Sequence, residues 1–132
     1  MFDWFNVAVP ASTTQAAPSL TTISLGPGTI VHAGVQFPDG CAGLVSVQIL
    51  HGARQVWPTD LDEAIESDGF IIAWPESYPI HPGETVFVIR AWNDDDTYPH
   101  TVSVFFAVTP PQPEPPPSKT ETLLEKLLSL FR

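Results

Sequence analysis

The chain has 132 residues, with five basic against fifteen acidic side chains and a formal net charge of -10; that field repels phosphate backbones and anionic lipid, and excludes a polyanion as the expected partner. A hydrophobic content of 43% with 11% aromatics supplies one packed core and excludes a chain disordered throughout. The lone Cys41 excludes an intrachain disulfide and a cysteine-rich zinc site, leaving a small buried thiol as its default place.

The first stretch, residues 1–19, reads "MFDWFNVAV" followed by the small polar "PASTTQAAPS". Phe2, Trp4 and Phe5 are costly to leave in water. Two expectations follow: an apolar arm on a flexible link that adds to a neighbouring subunit or sheet edge, or the first strand of the domain. Asp3 stands where a signal peptide carries basic residues, and no apolar run approaches the ~18 residues of a membrane span. The expectation is synthesis in the cytoplasm without a standard signal, which is compatible with a final place in a virion.

From 20 to 109, prolines and glycines cut the chain into short apolar runs. This is the spacing of an all-β antiparallel sandwich or jelly roll of about eight strands. The expected strands are "FNVAV" near the start, "TTISL" at 21–25, "TIVHAGVQF" at 29–37, "LVSVQIL" at 44–50, "ARQVW" at 53–57, "FIIAW" at 70–74, "TVFVIRAW" at 85–92 and "TVSVFFAV" at 101–108. Alternation assigns Val45, Val47 and Ile49 to the core, with Ser46 and Gln48 opposite. It likewise gives one face to Phe87, Ile89 and Ala91 and one to Val102, Val104, Phe106 and Val108, which places those two strands in the middle of a sheet. Turn chemistry falls at "GPG" 26–28, "PDG" 38–40, "HG" 51–52, "SDG" 67–69 and "HPGE" 81–84. Between Pro58 and Asp68, "TDLDEAIESD" reads as a short helical turn with Thr59 or Asp60 as its cap.

"WNDDDTYPHTV", 92–102, brackets a loop of turn formers between two strands and is expected to be a hairpin tip. Asp94, Asp95, Asp96, Tyr98 and His100 form a ligand-facing loop if the tip binds anything. Adjacent carboxylates cannot all aim at one ion, and the spaced ligands of a calcium loop are missing. The stretch is similar to the hairpin of cupredoxins in Asn93, Pro99, His100 and Thr101; the resemblance implies a copper protein. The cysteine, second histidine and methionine that such copper requires are not supplied after His100, so it implies at most a shared sandwich hairpin.

No Gly-x-Ser-x-Gly, His-Glu-x-x-His or phosphate-cradling loop accompanies His32, His51, His81 and His100, and the expectation is a non-enzyme without catalytic residues, metal or cofactor. Trp57, Trp74, Trp92, Tyr78 and Tyr98 sit at strand ends or turns, where packing competes with stacking on a sugar. A carbohydrate-binding module is therefore one alternative reading, and a cupredoxin-like metal-binding protein another.

After Thr109 the composition changes. "PPQPEPPP", 110–117, is a polyproline linker reaching roughly 25 Å. "SKTETLLEKLLSLFR", 118–132, opens with the capping box Ser118-x-x-Glu121, and its apolar residues Leu123, Leu124, Leu127, Leu128 and Phe131 recur at helical spacing. A helix of this length is marginal alone, so its stripe needs a partner. The expected partner is protein: a second copy in a homo-oligomer, or a larger particle.

An acidic β-sandwich with an apolar start and a proline-tethered helix resembles small accessory proteins of phage virions that decorate or cement capsids. That resemblance, in organisation and in turn-rich stretches such as "FPDGCAGLVSVQIL", implies a structural role. The sandwich would be displayed, with Phe2, Trp4, Phe5, Leu123, Leu124, Leu127, Leu128 and Phe131 making contacts to subunits or a capsid.

Overall fold

The structure is a computed structural model that describes residues 1–111 together with 127, 128 and 130. Eight strands follow in order: β1 (Phe2–Val9), β2 (Ser19–Ser24), β3 (Gly28–Gln36), β4 (Val45–His51), β5 (Arg54–Trp57), β6 (Ile71–Ile80), β7 (Val86–Asn93) and β8 (His100–Thr109). They form two four-stranded sheets, sheet A in the order β1-β8-β3-β6 and sheet B in the order β2-β7-β4-β5.

The pairings have one simple origin. β4 pairs with β5, β3 with β6, β2 with β7 and β1 with β8, all antiparallel. The chain is thus one long hairpin bent at Gly52, whose φ of 63° a side chain would resist. The double ribbon then rolls up. Successive rungs go alternately to sheets B and A, and β8 closes against β3 while β7 closes against β4. This is the jelly-roll arrangement of two packed sheets.

Period-two alternation sets the core between the sheets. Val45, Val47, Ile49, Phe87, Ile89, Ala91, Val102, Val104 and Phe106 are fully buried, joined by Val9, Leu25, Ile30, Val35 and Phe37. β7 and β8 are central strands, each with a partner on both sides, as their apolar faces require. Cys41 is buried and its thiol donates to the carbonyl of Ser67 at 3.0 Å.

Four expectations are decided or corrected by the fold. Of the two for the first stretch, arm or first strand, the strand holds: all of Phe2–Val9 is paired with β8, so the sandwich takes in residues 2–9 as well as those from 20 onwards. The segment 59–68 is no helical turn. A single turn closes where the amide of Glu63 donates to the carbonyl of Asp60, and Ile65 then pairs with Val47 through two backbone bonds. Those strand bonds hold the segment extended along the edge of β4. Thirdly, residues 93–99 form no hairpin tip, because β7 lies in sheet B and β8 in sheet A; the loop crosses between layers. Lastly, β6 runs on through Pro75 and Pro79 to Ile80. As the outer strand of sheet A it has one edge free of ladder bonds, where proline costs nothing. The helix expected over 118–132 lies outside the described residues apart from Leu127, Leu128 and Leu130.

Candidate interaction surface

The two flanks of the sandwich are finished differently. On sheet B, the outward-facing Ser46 and Gln48 are buried: Ser46 donates to the carboxylate of Glu66 at 2.7 Å, and the Gln48 amide donates to the carbonyl of Glu63 at 2.9 Å. The 10–18 link lies near β7, where Arg90 donates to the carbonyl of Gln15 at 3.1 Å and sits over the Trp92 ring. The β4 part of that flank and the surroundings of Arg90 are thus covered by the chain itself, while Leu20 on β2 and Val86 on β7 stay exposed.

Sheet A is bare. Its outward positions, read from the strand registers, are Phe2, Trp4, Asn6 and Ala8 on β1, and Thr101, Ser103, Phe105, Ala107 and Thr109 on β8. β3 presents Thr29, His32, Gly34 and Gln36, and β6 presents Ile71, Ala73, Pro75 and Pro79. None of these is Asp, Glu, Lys or Arg. The residues of 1–108, with twelve acids and only Arg54 and Arg90 as bases, thus keep one whole face free of fixed charge.

An aromatic stack crosses that face. Phe105 lies on Gly34, where an added Cβ would come within 2.3 Å of the ring; the glycine makes the room. Trp4 stacks on Phe105 at 5.3 Å and 11°, and Phe2 at 5.7 Å and 24°. Phe105 is buried by these neighbours, while Phe2 and Trp4 stay 58% and 45% exposed and Ile71 across the sheet 56%. Of the residues singled out from the sequence, then, Phe2 and Trp4 reach solvent on one surface. Phe5 points the other way and packs against the core.

β1 is also an open edge. Among the described residues its only sheet partner is β8, which leaves one row of its backbone donors and acceptors without a ladder partner there. Edge strands normally carry protection. β6 has Pro75 and Pro79, β5 is four residues long, and β1 has only Asp3 as a charged side chain and no proline.

The acidic loop is a tie between elements. Asn93, wholly buried, accepts from the amide of Asp95 at 2.9 Å and donates to the carbonyls of Val9 and Tyr98. Asp95 accepts from the amides of Thr97 and Tyr98, and from His100 Nε2 at 2.8 Å. Those donors, the Thr97 amide first and then His100 and Tyr98, hold the Asp95 carboxyl below its ordinary value. Asp94 and Asp96 are exposed, as is Tyr98. Among the described residues no cluster of three or more His, Cys, Asp or Glu side chains comes together in a metal-holding geometry.

The other histidines are spread over the molecule. His51 stacks on Phe87 at 4.3 Å and its Nε2 faces the carbonyl of Glu84 at 2.6 Å. A carbonyl only accepts, so Nε2 carries the proton, and in the neutral ring Nδ1 accepts from the Tyr78 hydroxyl at 2.6 Å. His32 lies on the outer face of sheet A beside Phe105. Leu127 and Leu128 are 50% and 61% exposed; Leu123, Leu124 and Phe131 lie outside the described residues. Among the described residues no helix is long and apolar enough to cross a membrane.

No family model and no curated protein matches the chain. Among solved structures, a chain described by the words "Bacillus endospore appendages form a novel family of disulfide-linked pili" is similar at 12% identity, over 83% of this chain and 88% of that one, with a TM-score of 0.33.

Proposed function

We propose that this protein is a non-enzymatic structural subunit that associates with a second copy of itself through the outer face of sheet A. The observation that carries the reading is the uncharged aromatic face on a chain of net charge -10. Two such copies repel each other across most approaches. Contact through the one face without fixed charge avoids that cost and removes Phe2, Trp4 and Ile71 from water, at about 25 cal/mol per Å² of apolar area.

The finer form of this reading is a decoration or accessory capsid protein of a virion, with the sandwich displayed and the leucine-bearing tail adding contacts to the particle. The acidic exterior, the bare face and the long proline-rich spacer support it. Many weak contacts would then sum through symmetry rather than through one tight site.

The test is light scattering coupled to size-exclusion chromatography on the full chain and on a Phe2→Ser, Trp4→Ser double variant. The native chain is expected to run as an oligomer and the variant as a 14.4 kDa monomer with unchanged circular dichroism. A native chain that stays monomeric at every concentration overturns the self-association. Failure to co-sediment with phage particles purified from the cells that produce it would overturn the finer form alone.

A further inference from the structure

Among the described residues, His32 is the one titratable side chain on the outer face of sheet A. The registers set it in a row with Ala107 and Phe2 on one side and Pro75 on the other, and the next row holds Trp4, Phe105, Gly34 and Ala73. A bulge between Ile30 and His32 leaves both Val31 and His32 exposed. The imidazole stacks along Phe105 at 6.3 Å and 28°. No acid stands beside it. Asp3 on β1 alternates to the inner side with Phe5, Glu76 on β6 is turned inward onto Trp57 Nε1, and Tyr78 on the same strand is turned to His51. On β8 the titratable residue is His100, at the far end and tied to Asp95; the Met1 amino group, a cation, donates to the Val108 carbonyl at 2.8 Å.

We infer that protonation of His32 gates the association of two copies: they join while the imidazole is neutral and part when it takes a proton. The inference rests on the self-association proposed above. A contact that takes Phe2 on β1 and Ile71 on β6 out of water spans β3, which lies between those strands, and so encloses His32. If the same patch is used by both copies, two such rings are enclosed. A neutral ring suits that place. An imidazolium there has given up its water with no carboxylate on the face to pair with, and it meets a second one from the other copy. Proton uptake therefore favours the separate chains. An imidazole ordinarily takes its proton near pH 6.5, so association is complete above that value and lost as the pH falls below it. The rest of the molecule works in the opposite direction, because acid trims the net charge of -10 and with it the repulsion between copies. Dissociation in mild acid thus singles out a proton on the uncharged face.

Sedimentation equilibrium of the full chain at about pH 7.0 and about pH 5.5, at one ionic strength, tests this beside His32→Gln, which stays polar and neutral at both. For imidazoles of ordinary affinity that bind protons in the free chain alone, the native dimer should weaken about eightfold for each ring and about seventyfold for the two. The variant should associate as tightly at the lower pH or more so. His51, His81, His100 and the Met1 amino group are the same in both chains, so any effect of theirs appears in both. Circular dichroism is expected to be unchanged throughout. A native chain that is monomeric at neutral pH at every concentration overturns the self-association and the gate with it. A native dimer that holds or tightens at the lower pH, a dissociation that persists in His32→Gln, or one accompanied by loss of the β-sheet signal overturns the gate alone.

Discussion

Trp4 and Phe105 stack at 5.3 Å on the outside of sheet A, across the antiparallel register that sets them directly opposite each other. The pair depends on a third residue. Phe105 lies flat only because Gly34, its neighbour on β3, has no side chain. Gly34→Ala forces the ring off the sheet and should cost about 1–3 kcal/mol, as overpacking does. Chemical denaturation of the variant checks this, and an undisturbed midpoint would mean that the ring moves freely.

Self-association through the uncharged face should strengthen as salt is added. No ion pair is available there to screen, whereas the repulsion between two copies of charge -10 is damped once the screening length falls from about 30 Å at 0.01 M to about 8 Å at 0.15 M. Sedimentation equilibrium at the two ionic strengths reads this out. Dissociation on adding salt would place the contact on a charged surface.

Asp95 should make the sandwich acid-sensitive. Its folded pKa lies below the ordinary value because the Thr97 and Tyr98 amides and His100 favour the carboxylate. The stabilisation is therefore complete above the unfolded pKa of about 3.9 and is lost as pH falls through the lower folded value. Asp95→Asn should accordingly melt below the native chain at pH 7, and the gap should narrow as the pH falls below the unfolded value towards the lower folded one. A gap independent of pH would show that the carboxylate charge is immaterial.

Asn93 should matter more than any of the three acids that follow it. It is wholly buried and bonds the Asp95 amide and the carbonyls of Val9 and Tyr98, which ties β1, β7 and the inter-sheet loop together. Asn93→Ala leaves the Val9 carbonyl unpaired in the interior and takes the partner from the Asp95 amide and the Tyr98 carbonyl at the loop, at a cost of about 1–3 kcal/mol. The expected result is a lower denaturation midpoint with an unchanged slope, whereas Asp94→Ala or Asp96→Ala should change little, since both side chains are exposed.

Core composition gives a reference for these values. Phe106 is fully buried between Phe5, Trp57 and Phe87, and Phe106→Ala should cost about 3–5 kcal/mol. Stability measured by urea titration that fell by less than the loss for Asn93→Ala would reverse the ranking of core packing over the loop tie.

The sequence by itself determined which runs are strands and which side of each faces inward, because both follow from local rules. Alternation puts Val102, Val104, Phe106 and Val108 on one side of any extended chain, and turn residues such as Gly52 act where they stand. Strand partnership is not local. Turn formers in "NDDDTYP" look alike whether the loop joins two paired strands or steps from sheet B to sheet A. Only the rolled ribbon, in which β8 leaves β7 to close between β1 and β3, settled that. The same long-range pairing made β6 an edge that tolerates Pro75 and Pro79, left β1 open, and brought Phe2, Trp4, Phe105 and Ile71 onto one uncharged face. Residues about 70 to 100 positions apart in the chain share a surface because a closed core must bury one side of every strand, and the other side is then placed by the partners that closure imposes.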